Sequence, residues 1–208
     1  DVEEMKGFTP PTQETKCDVS DIVSALKKSK RPLVAFGRGI KNSGTKKELL
    51  DLLRELEIPS VSARMANDII PYNDTNYFGM GGIRGRRCAT LIMKKSDLLL
   101  TLGTSIGLTF VGQEHSCLAN DCKVAAVNID KQLFERDDIQ IDVSLCADLK
   151  EFFNGMKEHT SSIKTNNNYV GWLDHCHKIK SEHVMVTEEM KGDPINSYNL
   201  IQCLSKLT

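Results

Sequence analysis

No CxxC pair, HExxH or GxxxxGK[ST] occurs in the 208 residues, which removes the zinc-hairpin, zinc-protease and P-loop signatures. Seven cysteines fall at irregular spacings, and the gap from Cys117 to Cys122 lies at the wide edge for a zinc hairpin. Cys88 in RRCATLIM and Cys146 in DVSLCADL sit in apolar runs and read as buried, inert thiols. Cysteine used in this way suits a reducing cytoplasm. An excess of one charge is missing as well: 27 Lys and Arg stand against 28 Asp and Glu. That leaves no bulk attraction to nucleic acid or to an anionic membrane. Apolar runs stay far below the ~20 residues that span a bilayer, and DVEEMKGFTPPTQETK has no signal-peptide pattern. The five histidines have no partner at a telling spacing. His175 and His177, two apart on a helix, would face different ways. No catalytic or metal-ligating set is expected.

What the chain does have is FGMGGIRGRRCA at 78–89, with four glycines and three arginines in twelve positions. Around it, apolar runs and helical periodicities alternate. Residues 1–18 read as an irregular linker because Pro10-Pro11 blocks a helix. A helix capped at Asp18 or Ser20 leads to the buried run LVAF (33–36), then to a strong helix at 45–57 with Leu49, Leu52, Leu53 and Leu56 on one face. IPSVSA (58–63), SDLLLTLG (96–103), CKVAAVNID (122–130) and IQIDVSL (139–145) are the further strands. Residues 64–85 read as irregular, 86–95 and 148–156 as helices. This order predicts an α/β fold over 19–157: a doubly wound, mainly parallel, Rossmann-like sheet. Residues 160–168 (TSSIKTNNN) read as a polar linker, followed by helical patterns at 169–184 and 195–207 whose apolar faces need covering.

Parallel sheets take ligands at the carboxyl ends of their strands. Those ends carry Gly37-Arg38-Gly39, Ala63-Arg64-Met65, Gly103-Thr104-Ser105 and Asn128-Ile129-Asp130. Glycine there lets the backbone turn and bring N–H groups to a phosphate; an acid can accept from a ribose hydroxyl. Gly81, Gly82 and Gly85 lead into the 86–95 helix, whose N-terminus carries partial positive charge, and Arg84 could pair with a phosphate. The strict dinucleotide fingerprint fails twice: Asn42 replaces the third glycine of GRGIKN, and in GMGGIRG Arg84 does. Packing glycines and a nucleotide crevice both remain open readings.

In this order, KKSKRPLVAFGRGI, IPSVSA, IIPYNDTNYFGMGGIRGRRCA, KSDLLLTLGTS and VAAVNID resemble the central domain of thiamine-diphosphate-dependent enzymes of the acetolactate synthase type. The resemblance implies a fold shared with sirtuins, which in this family holds FAD, ADP or nothing. FAD-type contacts would fall on Gly37, Gly39, Arg64, Met65, Gly103, Thr104, and Asn128 to Asp130. It further implies that 1–18 leaves a missing N-terminal domain and that 158–208 leads into a missing C-terminal one. Thiamine diphosphate and magnesium would be held by those domains, in a cytoplasmic homodimer or homotetramer. The parent would decarboxylate a 2-keto acid on the cofactor and pass the carbanion to an acceptor, while this segment is non-catalytic. Two departures point away from acetolactate synthase itself: GTSIGLTFVG (103–112) replaces an RFDDR-like run, and the DID acids reduce to Asn128 and Asp130. The alternative is a free-standing nucleotide-binding regulatory module of the same fold. A sirtuin-like deacylase would need zinc cysteine pairs that are absent.

Overall fold

The computed structural model describes residues 17–166, 169–192 and 194–207; most of the expected 1–18 linker lies outside them. Six strands, β1 (Pro32–Phe36), β2 (Ser60–Ser62), β3 (Tyr77–Met80), β4 (Leu98–Leu102), β5 (Lys123–Asn128) and β6 (Val143–Cys146), form one sheet in the order β3-β2-β1-β4-β5-β6. Every pairing is parallel. The helices are α1 (Ser20–Lys28), α2 (Gly39–Ser43), α3 (Lys46–Leu56), α4 (Arg87–Lys95), α5 (Leu108–Val111), α6 (Leu149–Lys157), α7 (Thr160–Asn166), α8 (Trp172–Glu182) and α9 (Ser197–Leu204). This is the doubly wound α/β architecture that the alternation predicts.

Both central strands are buried along their whole length, as PLVAF and LLLTL require when helices cover both faces. Strand order moves outward from β1 to β3, then jumps back to β4. Right-handed crossovers in opposite directions put α3 and α4 on opposite faces. On one side α3 packs on α6 and α7, and α1 on α7; on the other α4 packs on α8.

Five expectations change. Residues 64–85 are not wholly irregular: YFGM forms the edge strand β3, so the glycine motif does follow a strand. IQIDVSL pairs only from Val143, so β6 runs later than expected. As an edge strand β6 leaves Cys146 half-buried rather than buried. Residues 160–166 are helix rather than linker, because Ile163 drops fully into the core and Thr160 is buried beside it. The 169–184 pattern also covers its own apolar face: Trp172, Cys176 and Ile179 join the same core, and Trp172 Nε1 donates to the Pro32 carbonyl at 2.9 Å. Among the described α-helices α9 stays bare, with Leu200, Ile201 and Leu204 exposed.

Asp97 joins the first turn to the sheet centre. Its carboxylate accepts from the Ser29 hydroxyl at 2.5 Å and from the Lys30 and Arg31 amides at 2.9 Å. Burial pushes its pKa up, but these donors and the charge of Arg31 outweigh burial and hold it below the usual carboxylate range.

Two outcomes follow for stability. Ile163→Ala is expected to cost about 2–5 kcal/mol in urea unfolding, whereas Leu204→Ala stays within about 0.5 kcal/mol. Asp97→Ala is expected to cost about 2–4 kcal/mol at pH 7. Because the folded pKa is lowered, that contribution is present above pH 3.8 and lost as pH falls through the folded value. Melting curves of wild type and variant should therefore converge under acid.

Candidate functional site

One backbone ladder runs along the carboxyl edge of the sheet. The residue after five of the six strands bonds back to a carbonyl at the end of the neighbouring strand. Gly81 donates to Ser62 at 3.0 Å, Ala63 to Phe36 at 2.8 Å, Gly37 to Leu102 at 2.9 Å, Gly103 to Val127 at 3.0 Å and Ala147 to Asn128 at 3.1 Å. All eleven expected site residues therefore stand along this one edge, at or just beyond the ends of β1 to β5.

The order reverses between β1 and β4, the place where ligand crevices form in open parallel sheets. Here the two loops meet backbone to backbone. The Gly39 amide donates to the Gly103 carbonyl at 3.0 Å. A Cβ on Gly37 would lie 2.4 Å from that carbonyl oxygen, and one on Gly39 2.7 Å from the Gly103 Cα. Gly103 itself sits at φ +59, the left-handed region that glycine tolerates. So these glycines serve a loop–loop contact, and their amides are already spent. The expectation that they carry N–H groups to a phosphate is corrected on that ground.

The glycine loop after β3 behaves alike. Gly82, at φ +97, would place a Cβ 2.4 Å from the Thr109 carbonyl oxygen, and the Ile83 amide donates to that same oxygen at 3.1 Å. Gly81 is packed under Met93 and Phe110. The loop is thus stitched to α5.

What stays open on the rim is side chain. Arg38, Arg64 and Arg84 are exposed, and among the described residues Arg64 and Arg84 make no hydrogen bond or ion pair. Met65, Ile83, Leu108 and Ile129 are each more than half exposed. Thr104 is buried, and its carbonyl accepts from the Asn128 amide nitrogen at 3.2 Å. Asp130 caps the following turn through Gln132 N–H at 3.0 Å, leaving its second oxygen outward. Free cations interleaved with bare apolar side chains suit an organic anion with flat parts.

One pattern that the sequence reading passed over is Gly103-Thr104-Ser105-Ile106-Gly107, a GxSxG after a strand, the setting of a nucleophile elbow. Ser105 is exposed, and among the described side chains no histidine touches it. Its carbonyl accepts from Arg136 at 2.5 Å, and Arg136 is paired with Asp138. Among the described side chains no base is in place to activate the hydroxyl.

A second group escaped the sequence because its members lie far apart. The Arg86 guanidinium stacks 3.7 Å from the Tyr72 ring centre and the Lys180 ammonium lies 4.3 Å from it. Lys180 also donates to the Tyr72 and Tyr77 carbonyls at 3.2 and 2.9 Å. Burial lowers the pKa of both cations and raises that of the nearby Cys88 thiol. This cluster ties α8 to β3. His175 and His177 part as expected: one stacks on Trp172, the other meets Phe78 at a tilt, and the Cys176 thiol between them is buried and its pKa pushed up by burial.

Among the described residues no helix is long and apolar enough to cross a membrane. Residues 19–156 match the family described as thiamine pyrophosphate enzyme, central domain. The chain is 25% identical to the probable acetolactate synthase large subunit of Methanococcus aeolicus, over 88% of this chain and 31% of that protein. It is 24% identical to the acetolactate synthase large subunit of Corynebacterium glutamicum, over 98% and 32%. Against that of Haemophilus influenzae it is 22% identical, over 99% and 36%. It therefore spans about a third of the length of the curated relatives it matches. With the parallel sheet, the strand order and the glycine-bearing strand ends in place, the chain belongs to the thiamine pyrophosphate enzyme family, as its central domain.

Proposed function

We propose that this domain serves a thiamine-diphosphate-dependent enzyme acting on 2-keto acids, and that its own part is to position neighbouring domains and hold a nucleotide, FAD or ADP, along the carboxyl edge. The observation that supports the reading is the rim: exposed arginines and bare apolar side chains follow one another along the carboxyl ends of β1, β2, β3 and β5. Arg64 and Arg84 would take the phosphates, with Arg38 beside them. Met65, Ile83 and Ile129 would lie under the flat rings, and the outward oxygen of Asp130 would accept from a ribose hydroxyl. Gly37, Gly39 and Gly103 would close the inner wall. Thiamine diphosphate, when bound, supplies the electron sink for decarboxylation, and we place its binding groups in other parts of the polypeptide. The bare face of α9 fits that placement, since relatives about three times as long supply chain to cover it.

Titration with FAD and with ADP, followed by calorimetry, tests the nucleotide role. Saturable binding is expected, weakened about tenfold or more by Arg64→Glu or Arg84→Glu without a change in melting temperature. No heat with either nucleotide at millimolar concentration would overturn it. Gly39→Ala is expected to act differently, lowering stability by about 1–3 kcal/mol through overpacking against Gly103.

A further inference from the structure

The opposite edge of the sheet carries a second cationic concentration. A cavity of about 610 Å³ opens at the amino ends of β1 and β4, lined by Lys30, Arg31, Lys94, Lys95 and His175, with Asp121 as the one carboxylate on its wall. Among the described residues the ammonium groups of Lys30, Lys94 and Lys95 make no hydrogen bond or ion pair. Asp97 makes no ion pair with them, since its oxygens take the Ser29 hydroxyl and the backbone amides of residues 30 and 31, although its charge offsets part of that of Arg31.

Arg31 is held in place: its Nε donates to the Lys95 carbonyl at 2.5 Å, which leaves its terminal nitrogens as free donors. The His175 ring lies stacked on Trp172, with ring centres 5.7 Å apart, and is itself exposed. Trp172 is fixed from below by its bond to Pro32. Lys94 and Lys95 stand in the last turn of α4 and Lys30 follows the end of α1, and each such helix end offsets about half a charge. The two ends together remove about one charge, so Lys30, Arg31, Lys94 and Lys95 against Asp121 and the nearby Asp97 still leave the cavity net positive.

In a chain of net charge −1, this concentration of unpaired cations around one concavity calls for an anionic ligand. We propose that the amino-edge cavity is a second anion site, separate from the carboxyl edge, which takes a small phosphate-rich polyanion. The Arg31 fork would grip one phosphate bidentately, and Lys30, Lys94 and Lys95 would meet the others as point charges. A phosphate chain rather than a single carboxylate is the occupant that matches several separate cations. The site rests on its own residues and shares none with the carboxyl rim.

The probe is sodium tripolyphosphate, titrated into the purified protein at an ionic strength of about 0.15 M. Saturable binding that persists in Arg84→Glu, where the carboxyl rim is weakened, is expected, and it is lost about tenfold or more when Lys94→Glu and Lys95→Glu are added. Lys30→Gln should weaken it by a smaller factor, and Arg84→Glu on the opposite edge should leave it unchanged. Both lysines are exposed, and unliganded melting curves identical to wild type confirm that the fold is kept. Binding that is absent, or that falls with Arg84→Glu and survives the double lysine variant, overturns the proposal. Binding of an acidic peptide such as oligoglutamate in preference to tripolyphosphate overturns it too.

Discussion

Everything at the carboxyl edge depends on two loops having no side chains between them. β1 and β4 lie side by side in unbroken register from Pro32–Leu98 to Phe36–Leu102, and the chain leaves both strands at the same height. Gly37, Gly39 and Gly103 then let backbone meet backbone. A side chain at any of them would have to displace a carbonyl or a Cα, neither of which can rotate away. The contact in turn fixes the exits of Arg38 and Thr104, and through the Thr104 carbonyl it orients Asn128. The level rim is therefore a consequence of glycine packing, and the chemistry left for a ligand falls to side chains that project from it.

Charge is arranged accordingly. Exposed arginines punctuate the carboxyl rim, while Lys30, Arg31, Lys94 and Lys95 gather at the amino edge. Two further cations, Arg86 and Lys180, are spent inside on Tyr72. Like charges sharing one ring repel, so the ring's negative face and the two backbone carbonyls taken by Lys180 must offset that repulsion. The arrangement locks α8 over the edge strand β3 and protects an edge that would otherwise offer unpaired backbone.

The parts of the fold legible in the sequence were those in which local pattern and tertiary setting agree. LVAF and DLLLTLG are apolar without alternation because both faces are covered, and Leu49, Leu52, Leu53 and Leu56 repeat at helical spacing because one face is. β3 was hidden because four residues containing Gly79 at φ +94 carry almost no strand signal. α7 was hidden because TSSIKTN has poor helix formers and a single apolar anchor, Ile163; tertiary burial overrode propensity there. For the site, the strand ends could be placed from the sequence, since parallel topology puts them all on one edge. Which groups remain free could not be, because the Gly39–Gly103 bond joins residues far apart in the chain and hydrogen-bond use is settled only when they meet.

The α9 face ties these points to the larger enzyme. A helix that caps its own N-terminus through Asn196 yet leaves Leu200, Ile201 and Leu204 in water gains little from folding alone. α8, by contrast, sends Trp172, Cys176 and Ile179 into the core. Among the described residues, packing into the common core therefore ends with α8, and the apolar area left bare on α9 is free to bury against another surface. Among the described residues the glycine contact sets a level rim and α9 keeps one uncovered apolar face, so what this domain meets at either place it meets through side chains.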